Sequence, residues 1–363
     1  MSKYAYWLAS IPKMTPVKIR HILGSCAGAE ELYGMSDKAI HAIPGLKEED
    51  AHAIEDSRKS WNLEERWMEL TESGVGFVSL EEGRYPKKLS YIVNAPYALY
   101  YLGQLPQEGH KSVAIVGSRV RSAYGGQVAA KLAAALAANG VDVVSGMALG
   151  IDTDGQQAAL EAGGKSYGVL GCGVDVCYPK SNQWLYDRLQ AQGGILSEYP
   201  PGTKPRSVYF PQRNRIIAGL CDYTVVMEAR LKSGSLITAD FAMEQGREVY
   251  ALPGRITDEL SQGCNRLIQQ GAGMLTDVSD FLKEVCQNLS DTGVQMDFRK
   301  NLLEKDETLV YSLFDFHPIG LGEMVEKSPF SLSEVLDILE RLQQKGFVQE
   351  TIPNFYIKQS ELT

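Results

Sequence analysis

The sequence predicts an α/β protein built on a doubly wound, mostly parallel sheet, flanked by a small helical module before it and a second small module after it. Three observations carry this. Between residues 75 and 289, near-continuous apolar runs such as VAIVGSR (113–119) and DYTVVMEA (222–229) alternate with helical patterns such as QVAAKLAAALAANG (127–140). Strands apolar on both faces belong to parallel sheets covered by helices on either side. Each run then enters a glycine- or proline-rich loop, as ligand-bearing sheet edges do. Outside these limits the pattern changes to helix alone at one end and to a polar stretch at the other.

Residues 1–70 are helical in pattern. IPKMTPVKIRHIL and AIPGLKEEDAHAI each set a Pro or Gly turn before an amphipathic stretch. They resemble SAM- or helix-hairpin-helix-like units, whose turns offer N–H groups to phosphate. The GxG of such hairpins is absent, so a helical packing module is the favoured reading. The core, 71–289, adds strands in VDVVSGMALGID (141–152), SYGVLGCGVDV (166–176), GGILSEYPPG (193–202) and EVYALPG (248–254), with helices in 184–193 and 235–246. Residues 290–305 are polar and suit a linker. From 306 to 363 the pattern is helix, turn, helix and two short strands, the order of a winged helix. Its second helix carries Glu334, Asp337 and Glu340 against Arg341 and Lys345. A recognition helix facing phosphates is more basic, so a protein-contact or structural role fits better.

At 363 residues the chain has room for two or three domains. It holds no apolar run long enough to span a membrane, and its start lacks the basic and apolar regions of a signal peptide. The six cysteines form no CxxC and no metal-ligand spacing. These features predict a reduced, cytoplasmic protein without a metal. The net charge of -9 argues against indiscriminate nucleic-acid binding but leaves a local basic site open.

Such a site is expected at the sheet edge. Gly117, Gly146, Gly150, Gly171, Gly173 and Gly234 lie in four strand-to-helix loops, where glycine lets backbone N–H groups approach phosphate. None of the loops fits GxGxxG with a following acidic residue, or GxxxxGK[ST], so a nicotinamide dehydrogenase or P-loop NTPase is poorly supported. From Lys180 to Lys232 there are eight cations and four carboxylates, a local balance of 8 - 4 = +4. Tyr178, Tyr199, Tyr209 and Phe210 lie among these cations. Cations along a backbone path, interleaved with rings on which bases stack, suit single-stranded nucleic acid. Within YFPQRNRIIAGLCD (209–222), Arg213 and Arg215 precede an apolar helix expected to begin at Arg215 or Ile216. Arginines there oppose the helix dipole, and an anionic ligand would compensate. The histidines (21, 41, 52, 110 and 317) avoid these loops. Carboxylates Asp152, Asp154, Asp175, Glu198 and Glu228 are present, but Asp152 and Asp154 read as helix caps. Binding therefore fits better than catalysis.

With these residues in view, the chain resembles the bacterial DNA-processing protein A family (DprA, also called Smf). VAIVGSR, VVSGMALGIDTDGQQAAL, VLGCGVDVCYPKSN, SEYPPGTKP, FPQRNRIIAGL, EARLKSGSLITADFAMEQGREVYALPG and GCNRLIQQGA carry the resemblance, in order, over roughly 113–275. It implies an extended Rossmann-type core that binds single-stranded DNA in a basic pocket and forms homodimers. It also implies protection of incoming strands and loading of the RecA recombinase during natural transformation, with no catalytic activity and no cofactor. The family's basic pocket maps onto Arg119, Lys180, Arg213, Arg215 and Lys232, to which Arg206 is added. The core is also similar to nucleoside-monophosphate phosphoribohydrolases, whose PGGxGTxxE loop carries a catalytic glutamate. Matching Thr238 to that motif's threonine puts Phe241 at the glutamate position.

Overall fold

The computed structural model describes residues 2–290, 305–314, 319–344 and 347–358. Most of the expected linker, 290–305, therefore lies outside the described residues. The chain separates into two compact units, residues 1–294 and 295–363.

The first unit is organised by a nine-stranded sheet. Its strands are β1 (Gly76–Ser79), β2 (Ala98–Gly103), β3 (Ser112–Val116), β4 (Asp142–Ser145), β5 (Ser166–Val169), β6 (Gly194–Ser197), β7 (Tyr223–Val226), β8 (Glu248–Ala251) and β9 (Gly273–Met274). The spatial order is β1-β2-β6-β5-β4-β3-β7-β8-β9. All pairings from β6 to β9 are parallel, and β1 and β2 close the other edge antiparallel. Every residue of β3, β4, β5, β6 and β7 is buried. That explains their continuous apolar runs: helices cover both faces. Each strand is shorter than the apolar run suggested, because the loops beyond also carry buried Met147, Leu170, Cys172 and Val174.

The order reverses between β3 and β7, which makes their carboxyl ends the switch point of the sheet. Glu228, just past β7, ties this point together. Its carboxylate accepts from the Ser122 N–H at 2.9 Å, while Ser122 Oγ caps the helix Ala123–Ala138 through Gly125 N–H at 3.0 Å.

Six short helices within residues 2–72 bury Trp7, Leu8, Ile22, Leu32, Ile40 and Ile54 in one apolar cluster that continues into β1 and β2. The Tyr6 ring packs edge-on against Phe77 at 5.6 Å, joining helix to strand. The second unit holds helices Lys305–Ser312, Leu321–Lys327 and Leu332–Gln344. Its antiparallel three-stranded sheet has the order β10 (Ile319–Gly320), β12 (Phe355–Lys358), β11 (Val348–Ile352). It has its own core around Met324, Val335, Ile338 and Leu342.

Candidate nucleic-acid interface

The loops after β3 and β7 and the helices Tyr209–Leu220 and Gly234–Glu244 surround an open cleft of about 660 Å³ at the switch point. Arg119 enters from the loop after β3, and Arg230 and Lys232 from the loop after β7; all three are exposed cations. Tyr178 and Phe210 line the same cleft and stack on each other, 5.3 Å between centroids at 23°. The Arg119 guanidinium lies over the Phe210 ring at 5.7 Å, a cation–π contact that holds a long side chain in place. One residue along the helix, Tyr209 stacks on Tyr199 at 4.3 Å, with Arg206 over its ring at 5.9 Å. Cations and rings separated in sequence are thus interleaved in space.

Lys180 is exposed at the start of the short turn Lys180–Asn182, two residues beyond Tyr178, and does not line the cleft itself. Arg230 does line it. Sequence reasoning counted Arg230 among the cations without assigning it to the site. Its position two residues before Lys232, in the loop leaving a strand at the switch point, was the available signal.

The structure corrects the expected orientation of Arg213 and Arg215. Their helix begins at Tyr209, not Arg215, because Pro211 sits in the first turn, where backbone N–H groups lack intrahelical partners anyway. Both arginines are buried, Arg213 among the residues that line the cleft. Arg213 is 6% exposed; its Nη1 donates to the Gly146 carbonyl at 2.9 Å and also to the Val169 carbonyl. Burial pulls its guanidinium down to about 10, opposed chiefly by the neighbouring Asp152 carboxylate. Arg215 makes a bidentate pair with half-buried Glu198, at 2.7 and 2.6 Å, and donates to the Asn94 carbonyl at 3.0 Å. The charges that looked unpaired in sequence have partners inside the fold.

Asp152 and Asp154 cap no helix; Gly150 occupies that cap position. Asp152 accepts from the Gly146 and Ala148 N–H groups at 3.0 and 3.3 Å, and burial raises its carboxyl above the usual range against the pull of Arg213. Asp154 pairs with Arg121 at 2.5 Å. Asp152 is the one carboxylate among the described cleft-lining residues. His21, His41, His52 and His110 lie away from the cleft, and His317 is outside the described residues.

The glycines divide by role. Gly117 and Gly234 line the cleft, and nothing lies within 4 Å of a Cβ built on Gly234, so its backbone is open to a ligand. Gly171 packs under the Phe210 ring, and Gly173 lies against the Pro200–Gly202 backbone. Gly146 makes room for Arg213, whose guanidinium would lie 2.5 Å from an added Cβ. Gly150 has φ +79°, and a Cβ there would stand 2.4 Å from the Ser118 carbonyl oxygen. These positions, expected to cradle phosphate, are thus occupied by protein contacts at Gly146, Gly150 and Gly173. Gly150→Ala combines strain with overpacking and is expected to lower unfolding stability by about 2–4 kcal/mol. A urea midpoint shifted down at unchanged m-value checks this.

Fold and site together define a mostly parallel α/β protein with an open cleft of cations and stacked rings at the switch point of its sheet. A family model for DNA recombination-mediator protein A matches residues 76–286, and the chain belongs to this family, DprA/Smf. It is 48% identical over 206 residues to the DNA processing protein DprA of Streptococcus pneumoniae, covering 57% of this chain and 73% of that protein. Identity to Protein Smf of Synechocystis is 35% over 287 residues, covering 77% and 72%. Among solved structures, Streptococcus pneumoniae DprA superposes with TM-score 0.69 at 37% identity, covering 78% of this chain and 98% of that one. Helicobacter pylori DNA processing protein A, described for its single-stranded DNA binding mode, superposes with TM-score 0.52 at 32% identity, covering 58% and 96%.

Proposed function

We propose that the cleft binds single-stranded DNA, and that the protein protects such strands and promotes loading of the RecA recombinase onto them during natural transformation and recombination. The observation that carries this reading is the placement of Arg119, Arg230 and Lys232 around the Tyr178–Phe210 stack in one open cleft. Exposed cations neutralise successive phosphates, while rings accept bases without regard to sequence. The family membership and the single-stranded DNA binding of the Helicobacter pylori relative support the same reading. Lys180 and Arg206 extend the basic path beyond the cleft. Action as a homodimer, and a winged-helix role in protein contact for the second unit, belong to the same proposal. No helix among the described residues is long and apolar enough to cross a membrane.

A binding role is favoured over hydrolysis by two features. Phe241 stands where a phosphoribohydrolase needs glutamate, and it packs against the apolar core. Asp152 has its carboxylate taken up by two N–H groups and faces Arg213.

Fluorescence anisotropy with labelled single-stranded and duplex oligonucleotides across a salt series tests the proposal. Wild type is expected to prefer the single strand. Arg119→Ala/Lys232→Ala is expected to bind it more weakly, with the log–log salt slope flatter by roughly 0.7 per lost phosphate contact. Equal affinity for both forms, or a double variant that binds like wild type, would overturn the assignment.

A further inference from the structure

AIPGLKEEDAHAI (42–54), the stretch whose pattern resembled a hairpin, forms the turn after the helix Asp37–His41 and the first half of the helix Glu48–Ser60. Glu48, His52 and Glu55 are spaced i, i+4 and i+7 on the second helix and so share one face. The turn, held by His21 donating to the Pro44 carbonyl at 2.7 Å, brings His41 onto that face.

Four side chains interlock there. Glu55, only 8% exposed, has Oε1 at 2.8 Å from His41 Nε2 and Oε2 at 3.6 Å from His52 Nδ1. On the other side, Glu48 Oε2 lies 3.0 Å from His41 Nδ1 and 3.7 Å from His52 Nε2. The two rings meet edge-on with centroids 5.1 Å apart. Each imidazole therefore has one nitrogen toward Glu55 and the other toward Glu48. A neutral imidazole has a single N–H. If His41 donates it to buried Glu55, the Nδ1 lone pair is left facing a carboxylate oxygen, an approach that repels unless a cation lies between.

We propose that His41 Nδ1, His52 Nε2 and Glu48 Oε2 form a site for a divalent transition-metal ion of the zinc class. Glu55 is the outer carboxylate that orients both rings, the arrangement that fixes tautomer and raises ligand basicity in histidine metal sites. Two imidazoles with one carboxylate suit zinc rather than calcium or magnesium, which prefer all-oxygen shells. Tetrahedral zinc with ligands at about 2.0–2.2 Å spaces neighbouring ligand atoms by about 3.3–3.6 Å. The three atoms here lie within 4.8 Å of one another, on exposed side chains free to close in. Exposure leaves solvent as the fourth ligand. The ion clips one helix to the next across the Pro44–Gly45 turn, far along the sequence from the DNA cleft.

Metal-stripped full-length protein titrated with zinc chloride, by calorimetry and thermal melting, tests this. Wild type is expected to take up one equivalent more than His52→Ala and to melt at a higher temperature with zinc, whereas His52→Ala shows no such rise. His52 has a side chain 61% exposed on a helix, so alanine leaves the fold intact. Glu55→Gln is expected to bind the same equivalent roughly 10–100-fold more weakly. Equal uptake by wild type and His52→Ala would overturn the proposal and point to the half-buried thiols of Cys26 or Cys177. No uptake by wild type would overturn it too.

Discussion

Arg213→Met will destabilise the first unit by about 3–5 kcal/mol and leave the salt dependence of DNA binding nearly unchanged. The guanidinium is buried, donates to the carbonyls of Gly146 and Val169, the ends of two neighbouring strand-to-loop segments, and feels the charge of Asp152. Removing it strands two carbonyl oxygens and takes away a positive charge that offsets the burial of the Asp152 carboxylate. Leaving one member of such a pair costs far more than replacing both with shapes that need no partner. Arg213→Met/Asp152→Asn is therefore expected to be less destabilised than the sum of the single changes, by about 1–3 kcal/mol of coupling. Urea unfolding of the four proteins in this cycle provides the measurement. A variant with an unchanged urea midpoint and a flatter salt slope would instead make Arg213 a phosphate contact.

The burial of this arginine marks what a sequence can and cannot disclose. Parallel strands were legible because burial on both faces leaves an unbroken apolar run, as in SVAIV and YTVV. Their carboxyl ends were not, because Leu170, Cys172 and Val174 remain buried after the ladder stops. Helix start was misjudged at Pro211 for a related reason: proline breaks helix interiors but fits the first turn. The arginine pair was noticed correctly as charge requiring compensation, yet compensation by Glu198, 17 residues from Arg215, depends on where β6 runs in the sheet. Rings and exposed cations were easier. They cluster in loops that the topology gathers at one edge, so Arg119, Lys232, Tyr178 and Phe210 meet without any pairing having to be inferred. The histidines on the helical module avoid the sheet edge, and the reciprocal contacts of His41 and His52 exist only once the Pro44–Gly45 turn is made.

Tyr178→Ala will weaken single-strand binding by about 1–3 kcal/mol, roughly 5- to 150-fold, at an unchanged salt slope. Phe210 is hemmed in by Gly171 beneath it, Tyr178 on its face and Arg119 above the ring. Tyr178, 40% exposed, is the outer member of the stack and presents the surface on which a base can lie. Stacking releases no counterions, so its loss lowers affinity equally at low and high salt. Arg119→Ala behaves oppositely: its affinity deficit shrinks as salt rises, because the lost contact is ionic. Tyr178→Phe keeps the ring and is expected to bind like wild type, which separates stacking from any hydrogen bond of the hydroxyl. The two slopes together make a sharper test than affinity alone. A cleft that merely attracted polyanions would show a flattened slope for Arg119→Ala and no effect for Tyr178→Ala. A cleft that stacked bases without holding the backbone would show the reverse. Only a site combining both terms, with the ring of Phe210 positioning the Arg119 charge, predicts a salt-independent loss in one variant and a salt-dependent loss in the other.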